Sequence, residues 1–146
     1  MPEIPQWFWN SIETKTDSAC LDIAGCEVNY RKWSEAEAGK KGLLFVHGHN
    51  AHSHWWDFIA PSFKDRFQTA AIDLTGMGDS DHRDNYSNDI YAEEIVGVAD
   101  ALNMPEDTIV VAHSFGGMMA IRAFAQYPDR FKHLVLVDSG VRHPDD

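Results

Sequence analysis

Positive charge is scarce in this chain: 12 Lys and Arg stand against 23 Asp and Glu, a net charge of −11. Nucleic acid and anionic membrane surfaces would repel such a protein, which excludes both as expected partners. No apolar run approaches the ~20 residues of a membrane span. The opening Met1-Pro2-Glu3-Ile4-Pro5 has neither the basic region nor the apolar stretch of a secretory signal, so a cytoplasmic location is the expectation. Internal repeats and low-complexity segments are absent as well. Only two cysteines occur. Ala24-Gly25 reads as a two-residue hairpin turn, which pairs Ile23 with Cys26 and Cys20 with Asn29. Side chains alternate along strands, so the two sulfurs fall on opposite faces and free thiols are expected.

What is present is a 146-residue chain with 44% hydrophobic content, the size of one globular unit. Its order of elements is a hairpin followed by alternating strands and helices, the pattern of a doubly wound, mostly parallel α/β sheet. Six strands are predicted, at 19–23, 26–33, 42–46, 68–73, 108–113 and 134–138. The last four are continuous apolar runs, as expected of parallel strands covered on both faces. Three main helices fill the gaps. One is a short aromatic-rich helix from His54 to Phe63. A second carries the stripe Tyr91, Ile95, Val98 and Leu102, started by Ser87 or Asn88 and ended by Asn103 and Pro105. The third runs from Gly117 to Tyr127 and is stopped by Pro128. Residues 1–18 form an aromatic segment around Trp7, Phe8 and Trp9 that is expected to dock on the body, and residues 19–140 form the core.

The most informative stretch is Val110-Val111-Ala112-His113-Ser114-Phe115-Gly116-Gly117, where an apolar strand turns sharply into a helix. A serine squeezed into such a turn needs small neighbours two residues before and after, and Ala112 and Gly116 supply them. Ser114 would then project from the C-terminal edge of the sheet. The backbone N–H of Phe115 would point at the same spot, and the helix that follows would add its positive end. That arrangement suits a nucleophile beside an oxyanion site.

Two further segments extend the pattern: Leu43 to Asn50, a strand running into a His47-Gly48-His49 loop, and Ala71 to Ser80, a strand followed by a loop with Gly76 and Gly78. Taken in order with the 112–117 turn, they resemble the first half of an α/β-hydrolase fold enzyme, over residues 19 to 140. The likeness is to the broad group of esterases, C–C bond hydrolases, epoxide hydrolases and haloalkane dehalogenases. Ala112 stands where that pattern has glycine, a change a methyl group tolerates.

The resemblance implies roles residue by residue. Ser114 would be the nucleophile, and the backbone N–H groups of His49 and Phe115 the oxyanion hole. His47 would hold its loop by hydrogen bonding, and Asp73, Gly76, Gly78 and Ser80 would shape a turn at the pocket rim. Trp55, Trp56 and His113 are pocket-lining candidates, with one of the two tryptophans in the pocket and the other on the sheet. Two readings of Asp138, 24 residues after Ser114, stand side by side. It is the triad carboxylate, as in one branch of the group, or it ends its strand and begins the next loop.

The general base has no clear place in the chain. His133 lies at the wrong end of the sheet, because the preceding helix carries the chain roughly 20 Å back. His113 points away from Ser114 by strand alternation, and His82 and His143 lie nearer the functional edge. His47, His49, His52 and His54 are crowded, but lack the carboxylate or cysteine company of a zinc site, so no metal and no cofactor is expected. Residues 141–146 read as the start of a cap-entry loop. The strand at 134–138 would be a sheet edge apolar on both faces, with no charge or proline to blunt it.

These features lead to an expectation about partners: a second polypeptide or C-terminal part supplies the cap, the remaining strands and the catalytic histidine. A half-length homodimer pairing two 134–138 edges is the rival arrangement. The activity implied is a cofactor-free serine hydrolase acting on an ester or related carbonyl compound of small size. The alternatives are a C–C bond hydrolase or perhydrolase with the same site, and a non-catalytic small-molecule receptor or binding protein on the same fold.

Overall fold

The computed structural model describes residues 2–141. A short helix α1 (Gln6–Ile12) precedes the hairpin of β1 (Asp17–Ile23) and β2 (Cys26–Lys32). Then come β3 (Lys41–Val46), β4 (Phe67–Ile72), α2 (Asn88–Ala101), β5 (Ile109–His113), α3 (Phe115–Gln126) and β6 (His133–Val137). One six-stranded sheet holds them in the order β1-β2-β4-β3-β5-β6. β1 and β2 are antiparallel to their neighbours, and β4, β3, β5 and β6 run parallel. The hairpin register is the one the Ala24-Gly25 turn dictates, Ile23 opposite Cys26 and Cys20 opposite Asn29, and both thiols are free. None of the described helices is long and apolar enough to cross a membrane.

The expected helix from His54 to Phe63 is replaced by two 3-10 turns, Ser53–Trp56 and Ala60–Phe63. Pro61 is the cause. It lacks the N–H that would bond back to Asp57, and it disfavours helical backbone at Ala60 before it. The chain breaks at Ile59 (φ −122°) and restarts with Pro61 in the first turn. In α2 the expected start is found at Ser87, whose hydroxyl accepts the Ile90 N–H at 3.1 Å. The aromatic N-terminal segment forms α1, none of whose residues is buried.

Two apolar layers flank the sheet. On one face α2 and α3 pack Ile95, Val98, Met119, Ala120 and Ala123 against Val28, Leu44, Val46, Ile72 and Val110. On the other, Trp56 and Ala60 cover Leu43, Phe45 and Ala71. That second cover stops short. β3 and β4 are buried on both faces, but β5 alternates between half-buried and buried, and most of β6 is exposed. The expectation of two covered faces therefore fails for β5 and β6, because the layer of the two short 3-10 turns buries β3, leaves Ile109 and Val111 of β5 only half-buried and leaves most of β6 exposed. Ile109, Val111, Val135 and Val137 are left lining an open apolar groove of about 500 Å³ together with Trp55, Phe58 and Ile59. Val135 is 47% exposed and Val137 39%. β6 itself is the sheet edge.

Candidate active site

Ser114 lies between β5 and α3 in the left-handed region, with φ 50° and ψ −118°. A residue with a side chain adopts that conformation only at a cost of order 1–3 kcal/mol, so the surrounding contacts must enforce it. Its N–H donates to the Val137 carbonyl at 3.0 Å, which ties the turn to β6. Its carbonyl accepts the Gly117 N–H at 2.9 Å as α3 begins. A Cβ on Gly116 would strike the carbonyl of His47, and one on Gly48 would lie 2.9 Å from His113 Nδ1 and 3.4 Å from Ser114 Cβ. The glycines thus let the loop after β3 and the turn after β5 touch. Ser114, His113, Trp55 and the loop from Gly48 to Ala51 line one open cavity of about 560 Å³.

The loop after β3 is anchored by a buried histidine. His47 Nε2 accepts the Leu74 N–H at 3.0 Å, and Nδ1 lies 2.8 Å from the Gly48 carbonyl. These partners assign the proton to Nδ1. Burial holds this imidazole below its ordinary pKa. With both nitrogens engaged, His47 holds the loop and has no free lone pair for Ser114.

Asp73, at the end of β4, fastens the same loop from beneath. Its carboxylate accepts the Ser53 N–H at 2.6 Å, the Asn29 amide at 2.9 Å and the Asp79 N–H at 3.1 Å. Burial pushes its pKa up, but these donors favour the carboxylate more strongly and leave it below the usual range. Gly78 is required here because a Cβ would strike the Asp73 carboxyl group. The resemblance named Asp73 among the residues that shape this turn; the donors that converge on its carboxylate come from distant segments and could not be read along the chain.

A second buried acid escaped the sequence altogether. Glu94 of α2 is fully buried, accepts the Thr75 N–H at 3.0 Å and pairs with Arg83 Nε at 3.0 Å. Arg83 donates onward to the Ile23 and Ala24 carbonyls at 2.6 and 3.1 Å, clamping the hairpin turn to α2. The signal available was its position: Glu94 falls on the apolar stripe of Tyr91, Ile95 and Val98, where an unpaired carboxylate would be costly.

The other candidates are distributed as follows. Trp55 is 50% exposed and stacks on His113 with centroids 5.5 Å apart. Trp56 is buried and packs on Phe45 at 4.8 Å, so it is the tryptophan that belongs to the sheet and not to the Ser114 cavity. His49 and Phe115 meet edge to face, 5.5 Å apart. β6 ends at Val137, one residue short of the strand end expected at 138, so Asp138 sits just past the strand, in the left-handed region (φ 47°). The register of His113 with Val137 sets it beside Ser114, and it is exposed. His133 pairs with Ile109 at the far end of the sheet. His52 and His54 lie 5.4 Å apart, His54 Nδ1 is 2.6 Å from Asp57, and no group of three metal-ligating side chains occurs among the described residues. His143, and the cap-entry residues from 142 on, lie outside the described residues.

Comparison with known proteins gives the context of this geometry. The family model described as alpha/beta hydrolase fold matches residues 42–146. The 2-(acetamidomethylene)succinate hydrolase of Mesorhizobium japonicum is 34% identical over 119 residues, covering 81% of this chain and 41% of that protein. The cis-3-alkyl-4-alkyloxetan-2-one decarboxylase of Shewanella oneidensis is 31% identical over 108 residues, covering 71% of this chain and 34% of its own length. The matched residues therefore span less than half the length of these relatives. Among solved structures, an E-2-(acetamidomethylene)succinate hydrolase superposes with a TM-score of 0.75 at 30% identity, over 85% of this chain and 45% of that one.

Proposed function

The chain belongs to the α/β-hydrolase fold family, and on that premise we propose that it carries the nucleophile half of a serine hydrolase for esters or related carbonyl compounds. The observation that carries this reading is Ser114. It occupies a strained left-handed position at the edge of an open cavity, against a glycine loop so close that a Cβ on Gly48 would lie 3.4 Å from Ser114 Cβ. Such strain in a non-glycine residue is characteristic of functional turns. An aspartate at this turn would favour displacement at an epoxide or halide carbon; a serine favours acyl transfer.

In the proposed reaction Ser114 Oγ bonds to the substrate carbonyl carbon while its proton passes to a histidine. The carbonyl oxygen becomes an oxyanion held by the Phe115 and His49 N–H groups. Collapse expels the leaving group, which takes the proton from that histidine. Water then repeats the sequence, giving the acid and restoring Ser114. Asp138, beside Ser114 in the strand register, is the proposed carboxylate that orients the histidine.

The histidine is proposed to come from polypeptide beyond residues 2–141, which also supplies the missing cover. The lengths of the relatives, the edge position of β6 and the apolar groove beside it support one occupant, the remainder of the same fold. A strand from it would pair with β6, and a helix with an apolar face would fill the groove. The relatives named as hydrolases support the same class of activity. A fluorophosphonate probe applied to the complete assembly tests the reading. Labelling should fall on Ser114 and disappear, with ester turnover, in Ser114→Ala; labelling at another serine would overturn it.

A further inference from the structure

A second recess opens on the other side of His49. It holds about 490 Å³, within the range of small-molecule sites, and His49 and Phe115 line it as Ser114 and His49 line the first cavity. Its walls are aromatic and braced. Tyr91 meets Phe115 edge to face at 5.4 Å and stacks with Tyr86 at 5.8 Å, the two tyrosine rings 18° apart. Both hydroxyls are engaged: Tyr91 donates to the Thr75 carbonyl at 3.2 Å, and Tyr86 accepts the Arg83 N–H at 2.9 Å. A Cβ on Gly76 (φ +81°) would lie 2.6 Å from the Tyr86 hydroxyl, so that glycine makes room for the ring. Met77, with its adaptable thioether, completes the apolar lining.

Charge is missing from this recess. No lining residue is an Asp, Glu, Lys or Arg; its polar groups are those of His49, His82, Asn50, Ser87 and Asn88, and the nearby Arg83 is committed to Glu94 and two carbonyls. An anionic group would find no permanent cation among these residues, within a protein of net charge −11. The Tyr86, Tyr91 and Phe115 rings, held by their contacts with one another, offer partners to a flat, uncharged ring instead, which gains offset or edge-to-face contacts that a flexible alkyl chain does not.

We propose that this recess is a second substrate subsite for a neutral, phenyl-sized aromatic group, with Tyr86 and Met77 setting the preference. That it binds part of a substrate rests on the reading of Ser114 as nucleophile. The carbonyl would lie at the His49 and Phe115 N–H groups, and the ring would lie in the recess beyond His49, the residue that lines both cavities. The substrate class is thereby narrowed to esters or related carbonyl compounds bearing an uncharged aromatic group.

Binding can be read without turnover. The chain has five methionines, so a sample with 13C-labelled methionine methyls gives a short spectrum in which Met77→Leu identifies one signal. Titration with benzyl alcohol should move the Met77 methyl saturably, and n-hexanol should bind at least about tenfold more weakly. Tyr86→Ala should weaken benzyl alcohol by about threefold to tenfold, the scale of one aromatic pair. Asn88→Trp, at the exposed rim, should block the response while leaving the rest of the spectrum in place. An unmoved Met77, or equal binding of the two alcohols, would overturn the subsite. Fluorophosphonate labelling separates the two readings. Labelled Ser114 without ring binding removes the subsite alone, whereas ring binding with Ser114 unlabelled removes the substrate role and the nucleophile together.

Discussion

Ser114 and Val137 are joined by a single backbone hydrogen bond, N–H to carbonyl at 3.0 Å, that ties the turn holding the candidate nucleophile to the outermost strand of the sheet. The consequence is mechanical. The left-handed conformation at Ser114 is held on one side by the glycine contacts to the β3 loop and on the other by an edge strand whose outer side is open. Whatever pairs with β6 would therefore stiffen this turn as well as cover an apolar edge.

The glycine contact is tested by Gly116→Ala. Its methyl would drive into the His47 carbonyl, and backbone cannot rotate away as a side chain does. The expected loss is about 1–3 kcal/mol or more, read as a lower urea midpoint with an unchanged slope. Gly140→Ala, where the added methyl meets nothing within 4 Å, should stay within about 0.5 kcal/mol. Equal effects of the two would remove the close-approach argument.

For the proposed triad acid, Asp138→Asn in the complete assembly should lower turnover by roughly 10⁴, the scale of a histidine held in the wrong tautomer. Fluorophosphonate labelling should slow in parallel, with the circular dichroism spectrum unchanged. A change below about tenfold would place the acid elsewhere.

His47 and Asp73 predict how stability follows pH. Both titrate below their ordinary values in the folded chain. A lowered folded pKa means that the unfolded chain binds protons more readily, so the stability is present above the unfolded pKa and is lost as pH falls through the folded one. For His47 the loss should begin near pH 6.5, and for Asp73 near pH 4. Protonating Nε2 would also remove the acceptor for the Leu74 N–H. Burial raises the pKa of Glu94 and works in the opposite direction, so the His47 contribution is read as a difference: between pH 8 and 4 the urea midpoint should fall more steeply on acidification in the unmodified chain than in His47→Gln. An unchanged profile in the variant would show that His47 is not its source.

The buried pair should be sensitive to loss of one partner. Glu94→Gln leaves the Arg83 guanidinium, itself nearly buried, without its counter-charge. The expected cost is about 3–5 kcal/mol, and amide exchange at the Ala24-Gly25 turn should quicken because Arg83 clamps it. A cost under about 1 kcal/mol would mean that water replaces the pair.

The open edge makes the final expectation. In the complete protein, the outward amides of β6 should be protected from hydrogen exchange, and native mass spectrometry should find further polypeptide bound to or continuous with this chain. Val135→Lys, which sets a charge in the apolar groove, should weaken that association by tenfold or more. A chain that stays monomeric and stable alone, with β6 exchanging freely, would overturn the two-part account.

Much of this architecture follows from local pattern. Period and turn chemistry are properties of neighbouring residues, so the six strands, the hairpin register, the Ser87 cap and the serine turn between Ala112 and Gly116 could all be read along the chain. The break at Ile59 was legible in the same way, since Pro61 names its own consequence, but the aromatic pattern around it masked that signal. Tertiary structure alone decided what depends on distant segments meeting. Val111 and Val135 belong to equally apolar runs as Phe45, yet Phe45 packs directly on Trp56 and they line the open groove, so full burial of the second face ends at β3. Asp73 and Glu94 look like ordinary acids in a loop and a helix. They became organisers because folding brought donors to them from residues as distant as Asn29, Ser53 and Arg83, and a carboxylate is stable inside a protein only where such donors converge.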